Sequence, residues 1–209
     1  MSGRAPGATS ASSDVSSAAA AAREGAPVRR VGVVSLGLIG GSVARRLVAA
    51  GVEVHAWNPS LPALEAAAAG GVVPARTIAA LCAAEPDVLL LAPPLRAMAD
   101  VVREVAAHVR GGTVVTDAGS VKGAVARVVR EAGLAARFVG AHPMAGTEQA
   151  GYAASDATLL DGARWALTLE DDTRLDAFCR VAQLVTGPLD GVVTSRPSRA
   201  HRNPTPTHL

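Results

Sequence analysis

The stretch Val31-Gly32-Val33-Val34-Ser35-Leu36-Gly37-Leu38-Ile39-Gly40-Gly41-Ser42 decides how the chain folds. Residues 31–34 have the apolar, β-branched character of a buried strand, and the run breaks at Ser35 into a glycine-rich turn followed by helical periodicity. A strand that turns sharply into a helix leaves the first amides of the helix without intrahelical acceptors. The helix dipole adds partial positive charge to them. Such a turn is a seat for a pyrophosphate, and the spacing follows the G-x-G-x-x-G fingerprint of dinucleotide-binding turns. Gly37 gives close approach to the phosphates, Gly40 packs helix against strand, and Leu36, Leu38 and Ile39 complete the turn. Ser35 stands in the place of the first glycine. If that position takes positive φ, serine costs about 1 kcal/mol there. The plainer reading, glycines that only join a strand to a helix, is disfavoured by the strand before, the helix after and the N-terminal placement.

Working outward, short β-branched runs alternate with helical patterns, the signature of βαβ units. Strands are expected near 31–35, 52–57, 71–74, 87–92, 113–117, 137–141, 164–169 and 191–195. Helices are expected over 40–50, from Ser60 and Pro62 to about 69, over 95–109 and over 121–132, each ending near a glycine. The fold class is α/β, a Rossmann-type doubly wound, mainly parallel sheet over residues 28–196. The connection from Pro143 to Gly162 is long and poorly patterned, and long loops in compact domains are disproportionately functional. Residues 1–27 are Ala-, Ser- and Gly-rich and are expected to be disordered, and residues 197–209 to form an unstructured tail.

The 209-residue chain has a formal net charge of +2, too small to point to nucleic acid or an anionic membrane. A small-molecule partner remains. Aromatics are limited to Trp57, Trp165, Tyr152, Phe138 and Phe178, so Val, Leu and Ala build the core. Cys82 and Cys179 lack metal-ligand spacing and read as buried apolar residues in a reducing cytoplasm, with no metal site expected. No apolar run approaches the roughly 20 residues of a membrane-spanning helix, and the N-terminus lacks the pattern of a secretory signal.

Four further places carry chemistry. Asn58 follows the second strand where an adenosine ribose would lie, and a neutral amide there leaves NAD and NADP equally admissible. Its other reading is a turn-forming residue before Pro59. Pro93 follows the fourth strand on the same side as the glycine turn. Asp117-Ala118-Gly119-Ser120-Val121-Lys122 puts a hydroxyl and the chain's only lysine at the end of the fifth strand. Ser120 also reads as a helix cap and Lys122 as a solvated side chain. His142-Pro143-Met144-Ala145-Gly146-Thr147-Glu148 ends the next strand with an imidazole fixed by a proline, suited to a positioned general base.

Together, GLIGGS at 37–42, DAGSVK at 117–122 and HPMAGTE at 142–148 resemble the three signatures of the prephenate (cyclohexadienyl, arogenate) dehydrogenase family. The resemblance covers roughly residues 30–196, the family's nucleotide-binding domain. It implies NAD or NADP as cofactor, bound by Ser35, Leu36, Gly37, Leu38, Ile39, Gly40, Asn58 and Pro93. His142 would accept the ring-hydroxyl proton of prephenate or arogenate, with Ser120 supporting His142 or the substrate oxygen. Glu148 would order water or gate entry, and Ser120, Lys122 and His142 would contact substrate. The implied reaction is oxidative decarboxylation within tyrosine biosynthesis, giving 4-hydroxyphenylpyruvate from prephenate. Other β-hydroxyacid or imine dehydrogenases share the first motif but are not expected to combine it with the other two.

Members of that family continue into an all-helical domain that dimerises, closes the pocket and supplies cations for the substrate carboxylates. Here the pattern gives way to residues 198–209, whose closing Thr207-His208-Leu209 faintly echoes a family segment expected further on. The abrupt change reads as premature termination or a shifted frame. Two functions therefore follow from the sequence: a working dehydrogenase, or a dinucleotide-binding module that is catalytically silent on its own.

Overall fold

The computed structural model describes residues 27–197. The expected disordered N-terminus and unstructured tail lie outside the described residues, apart from Pro27 and Pro197 at their borders. The strands are β1 (Arg30–Val34), β2 (Glu53–Trp57), β3 (Val73–Pro74), β4 (Val88–Leu91), β5 (Val114–Asp117), β6 (Phe138–Pro143), β7 (Arg164–Leu169) and β8 (Val192–Pro197). The helices are α1 (Leu38–Ala49), α2 (Leu61–Ala69), α3 (Ile78–Ala83), α4 (Leu95–His108), α5 (Lys122–Glu131) and α6 (Leu175–Thr186).

One eight-stranded sheet has the order β3-β2-β1-β4-β5-β6-β7-β8. All neighbouring pairs are parallel except β6 with β7. The strand order reverses between β1 and β4, so the cleft beyond the carboxyl ends of those strands is the switch point where such sheets hold ligands. Every residue of β4 and β5 is buried, as central parallel strands covered on both faces must be. One core joins α1, α2 and α6 to the sheet through Leu47, Leu64, Val181 and Leu184. The other joins α3, α4 and α5 through Leu81, Val102, Val105 and Val129. Burying each such side chain contributes about 1.5–3 kcal/mol.

Two helices lie beyond the sequence expectations, although both left signals. Thr77 caps α3 by accepting the Ala80 N–H at 3.0 Å. Ala177, Val181, Leu184 and Val185 form the buried stripe of α6. Strand β8 continues to Pro197, where the tail was expected to begin, because its backbone pairs with β7 as far as Leu169. The cysteines need a correction: both are free, but only Cys82 is buried, and Cys179 is exposed on α6. None of the described helices is long and apolar enough to cross a membrane.

Candidate functional site

At the end of β1 the chain turns at Ser35, which has φ +78. This is the left-handed conformation that favours glycine, and serine holds it at a cost of about 1–2 kcal/mol. Two contacts fix the turn: the Ser35 N–H donates to the Trp57 carbonyl at 2.8 Å, and the Leu36 N–H donates to Asn58 Oδ1 at 2.8 Å. Helix α1 then packs so closely on the turn that a Cβ added at Gly40 would lie 2.1 Å from the Ser35 carbonyl oxygen. Close packing is thus an observed requirement at Gly40.

Gly37 differs, because a Cβ added there would meet nothing within 4 Å. The space in front of the turn is open. Gly37 occupies the N-cap position of α1 without a side-chain cap, and the first turn of the helix carries no acidic residue. The positive end of α1 and its first amides are therefore left for an external anion, and the residues present fit a pyrophosphate. Both ends of the Asn58 amide meet the protein, Oδ1 at Leu36 and Nδ2 at the Ser60 carbonyl, 3.2 Å away. Asn58 braces the turn. Pro93, half-buried, follows β4 beside it.

Two strands across, the site is held by charge. Asp117, fully buried at the end of β5, accepts from Lys122 Nζ at 2.7 Å, from the Ala141 N–H at 3.1 Å and from the Gly119 N–H at 3.1 Å. Lys122 Nζ also donates to the Ala141 carbonyl. Backbone pairing of β5 with β6 stops at Asp117 and Gly140, so this ion pair serves both backbone groups of the next β6 residue in place of a strand. It extends the ladder to the residue before His142. Burial pushes the Asp117 carboxyl up from its usual range, opposed by Lys122 and the amide donors. Burial likewise pulls the Lys122 ammonium down, opposed by Asp117.

This geometry corrects two sequence expectations. Lys122 is turned into the sheet edge, with Asp117 and Ala141 as its partners, rather than presented as a cation to substrate. Ser120 does not cap α5: Val121 holds that position, with no side-chain cap bond, and Ser120 is exposed in the turn ahead of it. His142 is half-buried, with Nδ1 3.5 Å from the Ala118 carbonyl oxygen. The turn carrying Ser120 and the strand carrying His142 therefore meet. Glu148 is exposed in the segment beyond Pro143. Arg164 opens β7 at this edge, exposed, and its carbonyl accepts the Met144 N–H at 2.7 Å.

The role of Asp117 does not emerge from the sequence, where the hydroxyl and ammonium that follow it carry the more obvious chemistry. An acidic residue closing an apolar strand five positions before the only lysine is the available signal. A cavity of about 560 Å³ lies at the opposite edge of the sheet, between Gly111, Arg137 and α6. It contains none of the sequence motifs. Arg137 there donates to the Gly111 carbonyl, and Arg174 pairs with Asp176.

Fold and site together define a Rossmann-type nucleotide-binding domain with a half-buried histidine at the same sheet edge. Residues 43–193 match the family model described as "Prephenate dehydrogenase, nucleotide-binding domain". This chain belongs to that family. A prephenate dehydrogenase of Lactococcus lactis subsp. cremoris is 29% identical over 147 residues, 68% of this chain and 42% of the relative. The structure of Aquifex aeolicus prephenate dehydrogenase in complex with hydroxyphenyl propionate and NAD+ is 27% identical with a TM-score of 0.75, over 83% of this chain and 61% of that one. Synechocystis arogenate dehydrogenase is 25% identical with a TM-score of 0.74, over 80% and 59%. The chain thus spans about two fifths to three fifths of the length of these relatives.

Proposed function

We propose that this chain binds NAD+ or NADP+ at the turn formed by Ser35, Leu36, Gly37, Leu38, Ile39 and Gly40, and supplies the cofactor half of a site for oxidative decarboxylation of prephenate or arogenate. The observation that carries the reading is the placement of His142 on the sheet edge that also holds the open, uncapped N-terminus of α1. Support comes from the NAD+ complex of the Aquifex relative and from the arogenate enzyme among the structural relatives.

When bound, the nicotinamide supplies the hydride acceptor. His142 takes the proton of the substrate ring hydroxyl. Its Nδ1 faces the Ala118 carbonyl, an acceptor, which favours the tautomer with the proton on Nδ1 and leaves Nε2 as the base. Loss of that proton drives electrons toward a ring ketone as the hydride leaves the carbon bearing the hydroxyl, and loss of the carboxylate as carbon dioxide then makes the ring aromatic. Ser120, two residues beyond Ala118, donates to the substrate oxygen. Glu148 stands at the mouth. The protein's contribution is chiefly to orient two reactants and one base.

The commitment of Lys122 to Asp117 favours a second reading of this span taken alone, that it binds dinucleotide without turnover. Prephenate carries two carboxylates, and desolvating them without paired cations is unfavourable. On this edge Arg164 takes the place given to Lys122 in the sequence reading, and the other cations come from a helical domain of the kind the resemblance implies. The test is steady-state reduction of NAD+ and NADP+ with prephenate and with arogenate, by this chain and by a version extended with a relative's helical domain, each with and without His142→Asn. The extended form is expected to turn over, and the same form carrying His142→Asn to lose most activity while keeping cofactor binding. Parental turnover in that variant would remove His142 from its role.

A further inference from the structure

The second half of the GLIGGS motif is not explained by cofactor binding. Gly41 and Ser42 are buried in α1, away from the open side of the turn. What they meet is the connection between β6 and β7. A Cβ added at Gly41 would lie 2.8 Å from Ser155 Cβ, 2.8 Å from Ser155 Oγ and 2.9 Å from Tyr152 Cδ2. The Asp156 N–H donates to Ser42 Oγ at 3.0 Å. Arg45 Nε donates to Ser155 Oγ at 2.9 Å, and the Arg45 guanidinium lies 4.3 Å from the centroid of the buried Tyr152 ring. Ser155 Oγ closes the group by donating to the Tyr152 carbonyl at 2.6 Å.

The topology gives this dock a consequence. The segment leaves β6 at Pro143 and is seized on α1, which packs over β1, three strands away in the sheet order. At about 4.8 Å per strand, β6 and β1 lie roughly 14 Å apart across the sheet. Residues 144–151 are therefore strung between the strand that carries His142 and the helix that would hold the pyrophosphate.

We infer that Gly41, Ser42 and Arg45 are positioning residues that anchor residues 152–156 on the cofactor helix and so hold residues 144–151 as a wall of the nicotinamide cleft. The inference rests on the proposed cofactor site. It explains why glycine is required at 41, inside a helix where alanine has the higher propensity by about 1 kcal/mol. It also couples the sites: a cofactor that orders the start of α1 orders the wall, and by linkage an anchored wall favours the cofactor.

Hydrogen exchange of the full chain with and without NAD+ tests this, using the parent, Gly41→Ala and Ser42→Ala. In the parent, NAD+ slows exchange both in the peptide covering residues 31–42 and in residues 144–151. In each variant residues 144–156 exchange about tenfold faster, and NAD+ still slows the turn but no longer slows the wall. Alanine raises the helix propensity of α1, so a loosened loop in Gly41→Ala cannot be ascribed to a weakened helix. Exchange in the variants equal to the parent overturns the anchor. Protection of the turn by NAD+ in the parent without protection of residues 144–151 overturns the wall. Protection of neither overturns the cofactor site on which the inference rests.

Discussion

At the ends of β1 and β4 the candidate site is made of backbone: an uncapped helix start, a strained Ser35 and a glycine pressed onto a carbonyl. At the ends of β5 and β6 it is made of a buried carboxylate, an ammonium and an imidazole. The first half is sensitive to volume and indifferent to pH. The second depends on charge balance, because each member of the Asp117–Lys122 pair is tolerable in the interior only while the other is present. A dinucleotide needs a shaped seat for phosphates it always carries, whereas a proton-transfer site needs groups held in a chosen ionisation state.

The largest effect is expected at the charged half. Lys122→Met strands the Asp117 carboxylate in the interior and should cost about 3–5 kcal/mol in denaturant unfolding. Adding Asp117→Asn should recover much of it, since a neutral amide is cheaper to bury. Without Lys122 the folded-state value of Asp117 lies further above its unfolded value of about 3.9. The contribution of a raised carboxyl is fully present below the unfolded value and lost as pH rises through the folded one. The single variant should therefore approach the stability of the double variant under mild acid and fall behind it under mild alkali. A gap independent of pH would show that Asp117 is not the stranded charge.

At the backbone half the expected response is steric. Gly40→Ala puts a Cβ 2.1 Å from the Ser35 carbonyl oxygen, a backbone atom with little freedom to yield. A loss of about 3 kcal/mol, the same at acid and alkaline pH, is expected on thermal unfolding. Pronounced pH dependence would break the contrast between the halves. Ser35→Gly should act in the opposite direction. Relief of positive φ is worth about 1 kcal/mol, a rise of a few degrees in Tm. A fall in Tm would mean that the Ser35 side chain makes a compensating contribution.

The contrast also accounts for what could be read in the sequence. The β1 turn is legible because glycine, strand and helix pattern are local, and even the strain at Ser35 follows from a missing glycine. The strands are legible because buried parallel strands are nearly continuous apolar runs. Asp117 and Lys122 are legible only as residue types. That they pair with each other and with Ala141 depends on where β5 pairing stops relative to Ala141, a tertiary fact. The anchoring of Tyr152 and Ser155 on Gly41 and Ser42 is hidden for the same reason. Contacts separated by more than a hundred residues leave no periodicity, and the connection carrying Tyr152 and Ser155 shows only as long and unpatterned. Helix α3 escapes a sequence reading because it is only six residues long, too short for a period to show.

The central claim is that the open turn at Gly37 is a dinucleotide seat, distinct in kind from the charged half that holds His142. Calorimetric titration of NAD+ and NADP+ into the parent, Gly37→Val and His142→Asn tests it most directly. A Cβ at residue 37 touches no protein atom, so Gly37→Val should unfold within about 0.5 kcal/mol of the parent. Its branched side chain would nevertheless fill the space in front of the turn. The account predicts binding of at least one dinucleotide by the parent, near-parental binding by His142→Asn and a loss of at least about tenfold in affinity in Gly37→Val. Equal affinity in Gly37→Val and the parent would contradict it.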